Sequence, residues 1–230
     1  PIVRETESGV NGFVFKNNIV QMTSGAGVQL HVADGKDYLI ANNHFNSSDQ
    51  TELSYESDIS LRRSDGAVVR DNVSDNVDYA FCQIDTMTNV QILNNEINDA
   101  DVKAIQVGPN CETVRISGNE IDNANTEHDT YTDGGGIRLY GSSTGTIKDI
   151  LIEENTITDT FHGFNLHDDD FGTASDYYTI RNNTVTNSSS GDIYNNAEHG
   201  TITFTDNIWD GGSATVVTGG DWIDATVEFV

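Results

Sequence analysis

The chain is 230 residues long and carries 37 Asp and Glu against 11 Lys and Arg, a formal charge of -26 at pH 7. Its length suits one large domain over residues 1–230. The few cations are scattered, which excludes nucleic acid as a partner, and no apolar run is long enough to insert across a membrane. Hydrophobic residues make up 36% of the chain and are strongly patterned, so the acidity describes an acidic skin over a folded body.

In chain order, eight segments share the pattern apolar-x-apolar-x-x-Asn-x-apolar: FVFKNNIV, YLIANNHF, AVVRDNVS, VQILNNEI, VRISGNEI, ILIEENTI, YTIRNNTV and ITFTDNIW. Their Asn residues are Asn18, Asn43, Asn72, Asn95, Asn119, Asn155, Asn183 and Asn207, spaced by 23 to 36 residues and clustering near 24. Two apolar residues two apart mark a strand with one buried face. An Asn three residues on suits a corner that needs left-handed backbone geometry. Most copies are followed by a second short alternating strand, as in GVQLHV, DISLRR, AIQVGP, GIRLYG and GFNLHD.

Two or three short strands in each period predict an all-β, right-handed parallel β-helix of about eight coils, with the Asn side chains stacked as an internal ladder. Almost the whole chain resembles the pectate-lyase-like superfamily, with repeats similar to those of mannuronan epimerases and NosD-type proteins. The Lys-poor, Asp-rich surface resembles that of proteins from extreme halophiles, where salt screens the repulsion between carboxylates.

Aligning the copies places Cys82 level with Gln106, which puts Cys111 too far along the chain for a disulfide; two free or separately buried thiols with no catalytic role are expected. The same alignment predicts one solvent-facing column of Gln29, Ser60, Cys82, Gln106, Arg138, Asn165 and Tyr194. A parallel column holds His31, Arg62, Ile84, Gly108, Tyr140, His167 and Asn196. The YAFCQI coil fits this phase poorly, because it would bury Gln83.

Arg138, Tyr140, Asn165 and His167 bring a cation, a phenol, an amide and an imidazole onto neighbouring coils, beside the two clearest insertions, NANTEHDTYTDGG and DFGTASDYY. Loops leaving a solenoid at one place can wall a groove. Arg138, Tyr140 and His167 are the candidate catalytic residues: Arg138 to neutralise a uronate carboxylate, Tyr140 or His167 to move a proton. Asn165, Gln106, Arg62 and Tyr194 are the candidate substrate-binding residues. Asp168, Asp169 and Asp170 supply hard oxygen ligands, and calcium, which the resemblance implies for lyases of this superfamily, is the candidate cofactor. The epimerase Asp-Pro-His motif is absent, and FHGF precedes HDDD within one coil, so the hydrolase arrangement of paired Asp ahead of Gly-His-Gly does not transfer either.

These features lead to an extracellular or cell-surface protein, or a virion component, that binds or modifies a polysaccharide or surface glycan with lyase or epimerase chemistry. The alternative is a non-catalytic adhesin, surface-layer component or tail-spike-like protein using the same rod as a spacer. Monomer and trimer both remain open. Asn46, Asn72, Asn182 and Asn187 head glycosylation sequons.

Overall fold

The computed structural model describes residues 3–4, 9–21, 29–47, 57–124, 134–141, 145, 147–168, 177–197, 201–209, 217–218 and 226–229. Within these, only the backbone is described at 3–4, 167–168, 177, 195–197, 201, 217–218 and 226–229.

Among the described residues every strand pair is parallel, and there are strands and no helix. The coils contribute strands to three faces, each strand stacking on the one in the next coil. The first face includes Lys103–Val107, Gly135–Tyr140, His162–Asp168 and Gly191–Ala197. The second includes Glu112–Ser117, Lys148–Glu153 and Tyr177–Arg181. The third is an eight-stranded sheet running from Ile19–Gln21 to Ile208–Trp209. Ser57–Arg70 and Ala80–Leu93 each turn a corner and serve both the first and second faces. The chain closes about six turns, against the eight coils counted from the Asn residues.

The core is built from registered columns. On the first face, Leu30, Ile59, Cys82, Ile105, Ile137, Phe164 and Ile193 lie level. On the third, Ile97, Ile121, Ile157 and Val185 do the same. All of these are buried, which accounts for the alternation in the sequence.

The predicted ladder is present over all eight rungs. Each Asn from Asn18 to Asn183 donates through Nδ2 to Oδ1 of the next at 2.9–3.0 Å. The receiving Oδ1 also takes the backbone N–H of the preceding rung. One part of the corner expectation is corrected. The left-handed residue is the one before each rung: Asn17, Asn42, Asp71, Asn94, Gly118, Glu154, Asn182 and Asp206, with φ between 51° and 67°. The rung itself must aim its amide inward along the stack, and its predecessor makes the bend. Further left-handed columns run through Asn76, Asp99, Asn123, Asp159 and Asn187, and through Asp37, Gly66, Asn89, Thr113 and Asp149. Asn and Asp tolerate this conformation best among residues with a Cβ, so part of the Asp content serves the corners.

Both cysteines are free and buried, and burial pushes the Cys111 thiol up to about 12. The outward-column placement of Cys82 and Ile84 is overturned. Both point into the core, and Gln83 and Asp85 take their places, because Phe81 and Cys82 are consecutive inward residues at a corner and shift the alternation by one. Gln29 and His31 are likewise displaced: His31 lies level with Ser60, and Gln29 turns inside. Asn72 is 1% exposed, so its sequon serves the ladder.

Candidate functional site on the first face

The corrected column on the outer side of the first face reads His31, Ser60, Gln83, Gln106, Arg138, Asn165 and Tyr194. Gln106, Arg138, Asn165 and Tyr194 hold the positions expected of them. The first three do not face solvent as expected. Gln106 is 5% exposed, Arg138 4% and Asn165 0%, so the outer side of the sheet is covered here. Alternation reports which side of a sheet a residue occupies, not what lies over that side.

The covered row is rich in donors. Arg138 Nη1 lies 3.5 Å from Gln106 Oε1, and its guanidinium sits 4.7 Å from the centre of the Tyr140 ring. Cation–π contact of this kind fixes the plane of the guanidinium. Asn165 Nδ2 donates to the Gly134 carbonyl at 2.9 Å. Tyr140 lies level with His167, and His167 with Asn196, as predicted. The His167 side chain falls outside the described residues, as do the side chain of Asp168 and the whole of Asp169 and Asp170, so the proposed calcium ligands do too. Arg62 is not brought to the cluster. It lies level with Asp85, three coils before Tyr140, or about 14 Å at the strand spacing.

Two further residues, each at the start of its strand on this face, were not singled out by sequence. Lys103 is fully buried, donates to the Tyr79 hydroxyl at 2.8 Å and lies 4.0 Å from the centre of that ring. His162 is 2% exposed and packs against Phe161 and Tyr194, with ring centres 4.5 and 5.0 Å away. Burial lowers its pKa to about 4, against a backbone hydrogen bond at Gly191 that raises it. The signal that could have found Lys103 is its phase. In KAIQV it falls in step with Ile105 and Val107, where an alternating strand places apolar residues.

Elsewhere the polar clusters serve structure. Glu153 on the second face has its side chain 6% exposed and accepts from Arg115 and Arg181, each pair reaching 2.7 Å. Burial raises its pKa, and the two guanidiniums outweigh this to leave it lowered. A shallow groove of 320 Å³ lies alongside, lined among others by Gln91, Thr113 and Arg115. Inside the core, Asp58 accepts from Gln29, from Ser74 and from Ser47 at 3.0 Å. Burial raises its pKa to about 7, against lowering by the serine hydrogen bonds. Among the described residues, no group of three or more His, Cys, Asp or Glu is placed to hold a metal ion.

The family model described as the right-handed β-helix region matches residues 6–149. The chain belongs to the right-handed β-helix family. That agrees with the parallel stacking and carries the handedness, but a β-helix hosts catalysts and passive binders alike. No curated protein and no solved structure was found to match the chain.

Proposed function

We propose that this β-helix protein acts at the cell exterior on a polysaccharide, gripping it on the outer side of the first face, with lyase- or epimerase-like chemistry on a uronate polymer. The observation that carries this reading is the covered row of Gln106, Arg138 and Asn165, flanked by Tyr140 and Tyr194. Because these groups are 0–5% exposed, a sugar meets them only once the cover over this side of the sheet is displaced, and donors on a rigid sheet in so dry a setting then interact strongly with an anionic sugar. Aromatic rings beside them suit the apolar faces of sugars.

Arg138 would neutralise the uronate carboxylate, which acidifies the adjacent C–H. Tyr140 or His167 would take that proton. Returning a proton to the opposite face of the carbon gives the epimer. Expelling the glycosidic oxygen from the β position instead leaves a double bond and a new chain end. Asp168, Asp169 and Asp170 would hold any calcium the reaction needs. The test is turnover of alginate and polygalacturonate, in high salt with and without calcium, read as unsaturated product and sugar configuration. Arg138→Ala should lower turnover at least about 100-fold. Unchanged turnover in both Arg138→Ala and Tyr140→Phe would remove the site.

One observation favours the non-catalytic alternative. Of the described groups, Asp58 is brought near neutrality, and it lies inside the core, while burial moves His162 on the face well away from it. Glycan binding without turnover would support an adhesin or spike-like role.

A further inference from the structure

We propose that the groove on the second face binds a short neutral saccharide through its hydroxyls. This site goes beyond the uronate reading and shares no residue with the first-face cluster.

The groove, of 320 Å³, is walled by outward side chains from three successive coils. Gln91, Arg115 and Leu151 lie level in one column, and Asn89, Thr113 and Asp149 stand two residues earlier on the same strands. Leu151 is half-buried and the other five are exposed, so a ligand reaches all of them from solvent. Elsewhere on the surface, polar side chains bond one another, as Arg63 does Asp34, His44 does Asp75 and Asn123 does Asp99. In the groove they are left open. Among the described residues, Gln91, Thr113 and Asp149 make no side-chain hydrogen bond. Asn89 commits only its Nδ2, to Asp65 at 2.7 Å, which leaves its side-chain carbonyl. Arg115 commits Nε and Nη2 to Glu153 at 2.8 and 2.7 Å, and its side chain is 47% exposed. Arg181 grips the other oxygen of Glu153. The Arg115 guanidinium is thus held in place from one side and open on the other, so it loses little freedom when a ligand arrives.

Thr113 is a second and separate sign. The rest of its corner column is Asp37, Gly66, Asn89 and Asp149, types that tolerate a left-handed backbone. A β-branched residue at φ 58° is strained there. Thr86 is left-handed too, but its hydroxyl donates to Asp85 at 2.8 Å. The Thr113 hydroxyl has no such use in the fold and lines the groove.

The lining narrows the ligand. The strands beneath are paired on both sides, so a peptide finds no free backbone edge to extend. Asp149 is the single carboxylate of the lining, too few for a metal ion. It also repels an anion from Arg115, whose charge Glu153 already balances. A neutral ring carrying hydroxyls meets every requirement: they accept from Arg115 and Gln91, they donate to Asp149 and Asn89, and an apolar ring face covers Leu151. At 320 Å³ the groove is small among ligand clefts, which run from roughly 300 to 1,000 Å³, and it suits about one or two sugar rings.

The test uses the whole ¹⁵N-labelled protein with cellobiose, maltose and mannobiose as neutral probes and digalacturonate as the acidic control. At least one neutral disaccharide should shift the side-chain signals of Gln91 and Arg115 saturably, and digalacturonate should bind there more weakly. Gln91→Ala should weaken that binding about tenfold, the worth of one such hydrogen bond. Thr113→Gly relieves the strain and removes the hydroxyl. It should raise the melting temperature by about 2–4 °C and yet weaken binding about tenfold. A purely structural Thr113 would give the first change without the second. The proposal is overturned if no neutral probe shifts Gln91 and Arg115, if both variants bind as wild type does, or if digalacturonate binds more tightly. The wild-type spectra decide even where a variant folds poorly. Failure here leaves the uronate reading standing, and absence of uronate turnover leaves the groove standing.

Discussion

Asn119 Nδ2 donates to Asn155 Oδ1 at 2.9 Å across 36 residues, the same distance that joins Asn72 to Asn95 across 23. The insertion between Asn119 and Asn155 leaves the rung spacing untouched, so the ladder holds the register while loops vary around it.

Removing an inner rung should therefore be severe. Asn119→Ala strips the acceptor from the Asn95 backbone N–H and side chain and the donor from the Ile92 carbonyl. Leaving such buried groups unsatisfied should destabilise the protein by roughly 2–4 kcal/mol. Asn18→Ala, at the partly exposed first rung, should lose less than about 1 kcal/mol. Urea denaturation of the two variants checks the contrast, and equal losses would mean that the ladder is not cooperative.

Asp58 and His162 give opposite pH dependences. Asp58 titrates near 7 when folded against 3.8 unperturbed, so the folded state holds the extra proton and stability falls as pH rises between those values. His162 titrates near 4 when folded against 6.5, so the unfolded state holds the extra proton and stability rises over that window. Each effect is on the order of 3–4 kcal/mol, and in the wild type they largely offset between about pH 4 and 6.5. Asp58→Asn should expose the rise and His162→Phe the fall, read from melting curves at constant ionic strength. Parallel profiles for the two variants would contradict the assignment.

The acidic surface predicts a salt response. Asp122 has its pKa raised by burial and by the neighbouring carboxylates of Asp159 and Asp99, a sign of unscreened repulsion. Asp99→Asn with Asp159→Asn keeps side chains that tolerate their left-handed backbone, at φ 56° and 52°, while removing charge. The double variant should be more stable by about 0.5–1 kcal/mol at low salt. The gain should vanish near 1 M salt, where the Debye length is about 3 Å. A gain that persists in salt would point to conformation instead of charge.

Neither cysteine should react with a thiol reagent in the folded protein, since both are buried and burial raises both pKa values. Both should react after denaturation. Fast labelling of either thiol at neutral pH would show that the core opens there.

The sequence alone determined the solenoid, because its signals are local and repeat. An apolar pair and an Asn at constant offsets mark each strand and corner, and the repetition itself says that copies stack. That was enough to place Gln106, Arg138, Asn165 and Tyr194 in one column and Tyr140 beside His167. It was not enough where the period is broken. Phe81 and Cys82 both turn inward at a corner, which no alternation rule anticipates, and Ser74 interrupts a column of apolar residues to meet Asp58. Only the tertiary structure decided that the outer side of the first face is covered, that Lys103 and His162 are buried at its edge, and that Asp58 titrates inside the core. Burial and pKa depend on whatever packs over a residue from distant parts of the chain, and nothing in the periodic pattern encodes that.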